Sequence, residues 1–301
     1  MQIEPDVRAG IRFRNLDVCP CCGSKSLNIV FKNGADFETD LGTFSVLHCS
    51  QCEVDFTTPQ PYAEDVRLLY ADRSSHDFDL SMSFVSWLRR FNNTRQLKRL
   101  PMQLREGNPV SLDFGCGSGF FTQSMRAFLP GRVIGSDFHE APPSIISANR
   151  DIEYISDAEL DILFGHLDLI VCRNVLEHSI NPTIFINRLH GLLKPGGLLL
   201  LEVPNRDSTW AHLLGQYNFN FYLPRHLYHF DISALERQLS GFMVISSWFD
   251  HSPILGKSLG NMFGTKVSGF SLTGLVLLPL QVCLDVLFGR SSQLVVVAQR
   301  N

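Results

Sequence analysis

The sequence predicts an α/β protein in which an open, mainly parallel sheet wound with helices follows a small metal-stapled module. Three observations predict it. Two Cys-x-x-Cys pairs lie near the N-terminus, Cys19-Pro20-Cys21-Cys22 and Cys49-Ser50-Gln51-Cys52. A strand of buried type, Val110 to Phe114, runs straight into Gly115-Cys116-Gly117-Ser118-Gly119 and then into a segment of helical spacing, Phe120 to Phe128. After that segment, strand-like and helix-like stretches alternate to the end of the chain.

With 301 residues, 45% of them hydrophobic, the chain is long enough to bury one full core and carry an appendage. A formal net charge of -4 and the lack of a Lys/Arg run argue against a polyanion binder that works by neutralising phosphates. Met1 to Phe13 alternates charged and apolar residues and has no apolar core of signal-peptide type, so a cytoplasmic location is expected.

Paired cysteines at each end of one segment favour metal over disulfides. Two cysteines three apart on a turn can both face one ion, and two such knuckles supply the four thiolates of a tetrahedral zinc site. Cys19, Cys22, Cys49 and Cys52 are the expected ligands, with Cys21 left over. Leu27 to Phe31 and Phe44 to His48 read as short strands about a turn at Lys32-Asn33-Gly34, the outline of a zinc ribbon. Phe56 to Tyr62 carries two prolines and reads as an extended linker. From Asp79 to Leu104 the apolar spacing is helical, with a basic stripe read as a solvated face. The expected division is a ribbon and linker over 1–62, a helical bridge over 63–108 and the main domain over 109–301.

In the main domain the glycine turn lets a ligand approach the backbone, and the helix behind it offers free N–H groups. By itself this turn suits a dinucleotide as well as S-adenosylmethionine. A second strand, Arg132 to Asp137, ends in a carboxylate where a ribose diol would sit. A third, Ile152 to Ala158, ends in Asp157-Ala158, and a fourth, His166 to Cys172, opens into Arg173-Asn174-Val175-Leu176-Glu177-His178. A helix then stops at Leu192-Leu193-Lys194-Pro195-Gly196-Gly197, before the apolar strand Leu198 to Val203.

This ordered run from Ser111 to Asn205 resembles the core of class I S-adenosylmethionine-dependent methyltransferases, and the N-terminal part is similar to a bacterial group of zinc-ribbon methyltransferases. The resemblance implies a Rossmann-like sheet of seven strands in the order 3-2-1-4-5-7-6. It implies S-adenosylmethionine as cofactor, held against Asp113, Gly115, Cys116, Gly117, Gly119, Asp137, Phe138, Asp157 and Ala158, and a structural zinc ion. The base-amine methyltransferase loop [DN]-P-P-[YF] is absent after the fourth strand, so nucleic acid is not the expected partner.

Substrate walls in such a sheet come from loops at the carboxyl ends of its strands. Two long segments leave there, at 206–230 and 251–291. The first is dense in aromatics and histidines and ends at Asp231, an expected helix cap. His178 and His226 are the candidate catalytic residues, as general bases or substrate-facing groups, with His226 preferred over His229 and Arg225 offered for an anionic group. The second contains the apolar stretch Phe270 to Phe288, expected as a lid helix or a membrane-surface helix rather than a span, because the flanking strands must pair in one sheet. The expected activity is O-methylation of a small-molecule, saccharide or lipid-linked acceptor. C- or N-methylation, an RNA or protein substrate, and a non-catalytic cofactor-binding protein are the alternatives.

Overall fold

The computed structural model describes residues 10–70, 83–265 and 272–301. At the N-terminus, β1 (Phe13–Arg14) precedes an antiparallel ladder of β2 (Leu27–Ala35), β3 (Thr43–Cys49) and β4 (Asp55–Thr58), and β5 (Gln60–Pro61) returns to pair with β1. Alternation in β3 turns Phe44 and Val46 into a small core shared with Phe221 and Leu223.

The reversal between β2 and β3 is not at Lys32-Asn33-Gly34, which lies inside β2. There the ladder shifts register and Asn33 takes a φ of 58°. The chain turns instead at 36–42, where the Asp36 carboxylate accepts the amides of Glu38, Thr39 and Leu41 at 2.9, 3.1 and 3.2 Å. Gly34 serves packing, since a Cβ there would stand 2.7 Å from Leu223 and from Phe31.

The expected linker, Phe56 to Tyr62, is extended but paired along most of its length. On its far side β4 takes a fourth strand, Tyr228–His229, from the first long segment of the main domain. That segment therefore completes the ribbon's sheet.

A 3-10 turn over Ala63–Tyr70 follows, then α1 (Ser83–Leu97) and α2 (Met102–Glu106). The expected single helix breaks at Leu100-Pro101, and its residues 79–82 lie outside the described residues. Leu97, Leu100 and Leu104 pack on Phe121, Met125 and Val133, and Gln96 donates to Glu202 and Asp250 at 2.7 and 2.9 Å.

The main sheet is built from β6 (Val110–Phe114), α3 (Phe120–Phe128), β7 (Arg132–Ser136), α4 (Ser144–Ser147), β8 (Glu153–Tyr154), β9 (Leu167–Arg173), α5 (Pro182–Leu192) and β10 (Leu193–Pro204). Next come α6 (Thr209–Leu214), β11 (Tyr228–His229), α7 (Ile232–Gln238), β12 (Phe242–Asp250), α8 (Leu255–Phe263), α9 (Leu272–Phe288) and β13 (Gln293–Arg300). The seven strands run β12-β13-β10-β9-β6-β7-β8, with β13 antiparallel to both neighbours, which is the expected Rossmann-like order. β8 is shorter than expected because only Glu153 and Tyr154 pair with β7, and Asp157 already opens a 3-10 turn. Asp231 caps α7 as expected, accepting the Ala234 amide at 2.8 Å.

β12 and β13 pair from Phe242↔Arg300 to Asp250↔Gln293, so the segment between them leaves and returns at one edge. Among the described residues no helix is long and apolar enough to cross a membrane. Phe270 and Ser271 of the expected apolar stretch lie outside the described residues. Its polar interruptions fasten the α8–α9 pair inward. Gln281 accepts the amides of Ile254 and Leu255 and donates to the Ser252 carbonyl, and buried Asp285 meets His251 at 3.0 Å. Val276, Leu280, Val286, Leu287 and Phe288 remain exposed on the outside.

Candidate functional site

The carboxyl end of β6 delivers Asp113 beneath the glycine turn. Asp113 is buried and accepts the Thr122 hydroxyl at 2.6 Å; burial pushes its carboxyl up to about 6, opposed by the Thr122 bond and the Arg173 charge. The amides of Gly115 and Cys116 donate to the Ser136 carbonyl at 2.8 and 2.9 Å, which ties the turn to β7. Gly115, Gly117 and Gly119 all take positive φ, but for different spatial reasons. A Cβ on Gly115 would stand 2.3 Å from Val175, and one on Gly119 would stand 2.7 Å from Ile146. A Cβ on Gly117 would meet nothing within 4 Å among the described residues.

The Gly117 amide is held by Asp137. One Asp137 oxygen accepts the Gly117 amide at 2.9 Å, while the other is buried with no hydrogen-bond partner among the described residues. A buried carboxylate oxygen without a donor is costly, and the hydroxyls of a ribose would satisfy it. Beyond Asp137, the Phe138 ring is exposed against His139. The Asp157 amide donates to the Asp137 carbonyl at 3.0 Å, its side chain pairs with Arg188 at 2.6 Å, and exposed Ala158 follows it. The Cys116 thiol packs with Ile146 and Ile152, where burial pushes its pKa up.

Past the end of β9, Val175 leans on Gly115 and the chain makes a short 3-10 turn over Leu176–His178. His178 and His226, far apart in sequence, have ring centroids 4.7 Å apart in an edge-to-face contact. His226 is buried, and its Nδ1 lies 2.7 Å from the Asn220 carbonyl. A carbonyl only accepts, so Nδ1 carries the proton. His178 Nδ1 meets the Tyr70 hydroxyl at 2.7 Å and the Arg225 carbonyl at 3.0 Å.

Both Nε2 atoms lie 3.9 Å from one oxygen of Glu177. The Glu177 side chain is buried, neither oxygen has a hydrogen-bond partner among the described residues, and burial pushes its carboxyl up to about 8. Ligand-capable atoms of Glu177, His178 and His226 all lie within 4.8 Å of one another, close enough to share a proton or a cation. Sequence reasoning passed over Glu177 and Tyr70. Only the adjacency of Glu177 to His178 signalled the first, and nothing signalled the second, because its partner is more than a hundred residues away.

Arg225 is not turned to an anionic acceptor. Its guanidinium is buried, donates to the Thr39 hydroxyl at 3.0 Å and lies 3.5 Å from Asp36, so it faces the ribbon's turn.

In the ribbon the two knuckles have matching backbones. The Gly23 amide donates to the Cys19 carbonyl and the Glu53 amide to the Cys49 carbonyl, each at 2.8 Å. The Sγ atoms of Cys19 and Cys52, and those of Cys22 and Cys49, are 3.5 Å apart, and all four lie within 4.8 Å of one another. Four sulfurs about 2.3 Å from one tetrahedral ion would stand about 3.8 Å apart, so the set fits a structural zinc ion.

A family model described as a methyltransferase domain matches residues 84–246, which is more than half of the chain. The chain belongs to this methyltransferase family. Among curated proteins, this methyltransferase is 32% identical over 104 residues to a ubiquinone biosynthesis O-methyltransferase of Shewanella pealeana, covering 32% of this chain and 44% of the relative. It is 31% identical over 111 residues to a protein of the same name from Pseudomonas putida, covering 34% of this chain and 47% of the relative. The methyltransferase thus spans under half the length of these curated relatives. A solved S-adenosylmethionine-dependent methyltransferase from Archaeoglobus fulgidus is similar at 18% identity with a TM-score of 0.47, covering 71% of this chain and 94% of that one.

S-adenosylmethionine is the cofactor of this methyltransferase, and the Gly117 opening with the unpartnered Asp137 oxygen fits it. S-adenosylmethionine held there would supply an already activated methyl group, which leaves the protein chiefly to align the acceptor.

Proposed function

We propose that the protein methylates an oxygen of a small-molecule, saccharide or lipid-linked acceptor, with Asp113, Gly117 and Asp137 at the cofactor and His178 and His226 at the acceptor. The observation that carries this reading is the Glu177–His178–His226 cluster beside the glycine turn, with Val175 in contact with Gly115. With Nδ1 turned to the Asn220 carbonyl, the Nε2 of a neutral His226 would suit removal of a hydroxyl proton as the methyl arrives. Asp157 and Ala158 would border the adenine. The O-methyltransferase names of the curated relatives support oxygen as the acceptor atom.

In this reading the ribbon over 1–62 and the bridge over 63–108 serve the catalytic domain over 109–301. The α8–α9 pair walls the acceptor side: Ser258 accepts the Phe219 amide at 2.9 Å and Asn261 donates to the Tyr217 carbonyl at 3.1 Å. Its exposed apolar outer face favours a lipid-linked acceptor reached at a membrane surface.

The test is transfer of tritium from methyl-labelled S-adenosylmethionine to a catechol panel (3,4-dihydroxybenzoate, caffeate and a prenylated catechol) and to glycan and lipid extracts. Label in a base-stable ether supports the reading. Label confined to RNA or protein overturns it.

A further inference from the structure

The His226 segment has almost no regular structure of its own. Between Tyr222 and Leu227 the chain forms only a turn, with the amides of Arg225 and His226 donating to the Tyr222 carbonyl at 2.9 and 3.0 Å. Such a segment would wander unless something outside it held the backbone. On one side the main domain holds it, the Glu177 carbonyl accepting the Leu227 amide at 2.8 Å; on the other the ribbon holds it. The Thr57 hydroxyl donates to the His226 carbonyl at 2.7 Å, the Thr57 amide donates to the Leu227 carbonyl at 2.9 Å, and the Gln60 side chain donates to that same carbonyl at 3.1 Å.

The Thr57 hydroxyl is itself fixed from behind. His229 Nε2 lies 3.0 Å from it, and burial with the Arg206 charge pushes the His229 imidazole down to about 3, so the ring is neutral. The hydroxyl proton is committed to the His226 carbonyl, so His229 Nε2–H donates to the oxygen left behind. This chain of donors has one polarity and ends on the backbone of His226. Thr57 and Gln60 are fully buried, and Thr57 lies on β4, five residues past Cys52 of the cysteine cluster.

We propose that Thr57, aided by Gln60, is a positioning residue for methyl transfer: the ribbon acts as a clamp that fixes the backbone of His226 and so keeps its imidazole Nδ1 on the Asn220 carbonyl. This rests on the role proposed for His226. It gives the ribbon a catalytic task beyond holding itself together, since β4 connects the cysteine cluster to the backbone of the residue that carries the acceptor-side imidazole.

The test uses full-length, zinc-loaded protein carrying Thr57→Val, which keeps shape but removes the hydroxyl, and Thr57→Ser, which restores it. The readouts are the 15N resonances of the His226 imidazole, assigned by their loss in His226→Asn, and the affinity for S-adenosylmethionine. In the parent a single Nδ1–H tautomer is expected. Thr57→Val should give an averaged two-tautomer signal, with turnover on the labelled acceptor about tenfold lower, zinc content unchanged and cofactor Kd within about twofold. Thr57→Ser should return both signal and rate. An unchanged His226 signal in Thr57→Val overturns the clamp, as does failure of Thr57→Ser to restore it. If instead His226→Asn keeps the parent rate, the role of His226 itself falls, and the clamp with it as a catalytic device.

Discussion

Gly117 donates its amide to one Asp137 oxygen at 2.9 Å, and the other Asp137 oxygen is buried with no hydrogen-bond partner among the described residues. The contact fixes the carboxylate against the turn and leaves one acceptor for a ligand. Asp137→Ala removes that acceptor and the turn's restraint together. Calorimetric titration should show S-adenosylmethionine affinity reduced by about 30-fold or more, with the melting temperature nearly unchanged. Parent-like affinity would mean that the ribose is held elsewhere.

Gly117→Ala probes the glycine turn itself. The added methyl meets no atom of the described residues within 4 Å, yet the residue must keep a φ of +53°. A stability loss of about 1 kcal/mol is expected from backbone strain, with a larger fall in cofactor affinity as the methyl enters the ligand's space. Loss of stability alone, with cofactor affinity retained, would show that this face of the turn is not in contact with the ligand.

Glu177 predicts a pH effect of definite sign. Its folded carboxyl lies near 8 against an ordinary value of 4.5, because burial penalises the charge. Between those values the folded state holds a proton that the unfolded state has released, so stability falls as pH rises through the window. Glu177→Gln cannot ionise. Melting curves from pH 5 to 9 should show the variant losing less stability than the parent, with an advantage of at least about 1 kcal/mol at pH 9. Parallel curves would mean that Glu177 is already charged and paired in the folded protein.

Zinc should be present at about one equivalent per chain by elemental analysis. Cys49→Ser should remove it and lower the melting temperature by about 5 °C or more, because the ribbon's own apolar core is small. Full zinc content in this variant would exclude Cys49 as a ligand.

Much of this arrangement was legible in the sequence because its signals are local. The strand, glycine turn and helix around Asp113, the carboxylate ending β7 and the paired cysteines each sit within a few residues of one another, and the structure puts them together as expected. Distant pairing was not legible. Nothing in Tyr228–His229 distinguishes a strand of the ribbon from part of a lid, and its partner Phe56 is too far away in the chain for any pattern to reveal it. Lys32-Asn33-Gly34 misled for a related reason. Asn-Gly is a strong turn signal, but close packing of Leu223 requires that glycine, and Asp36 satisfies three amides at a turn a few residues later. Residue type alone makes Arg225 a candidate for an anionic group, whereas its partners Asp36 and Thr39 belong to the ribbon.

The most direct test is single-turnover methyl transfer from labelled S-adenosylmethionine to the best acceptor of the panel, comparing the parent with His226→Asn. The parent should yield a labelled O-methyl ether, and the variant should bind the cofactor equally well but transfer at least about 100-fold more slowly. Label on nitrogen or carbon, or equal rates in the two proteins, would contradict oxygen methylation assisted by His226.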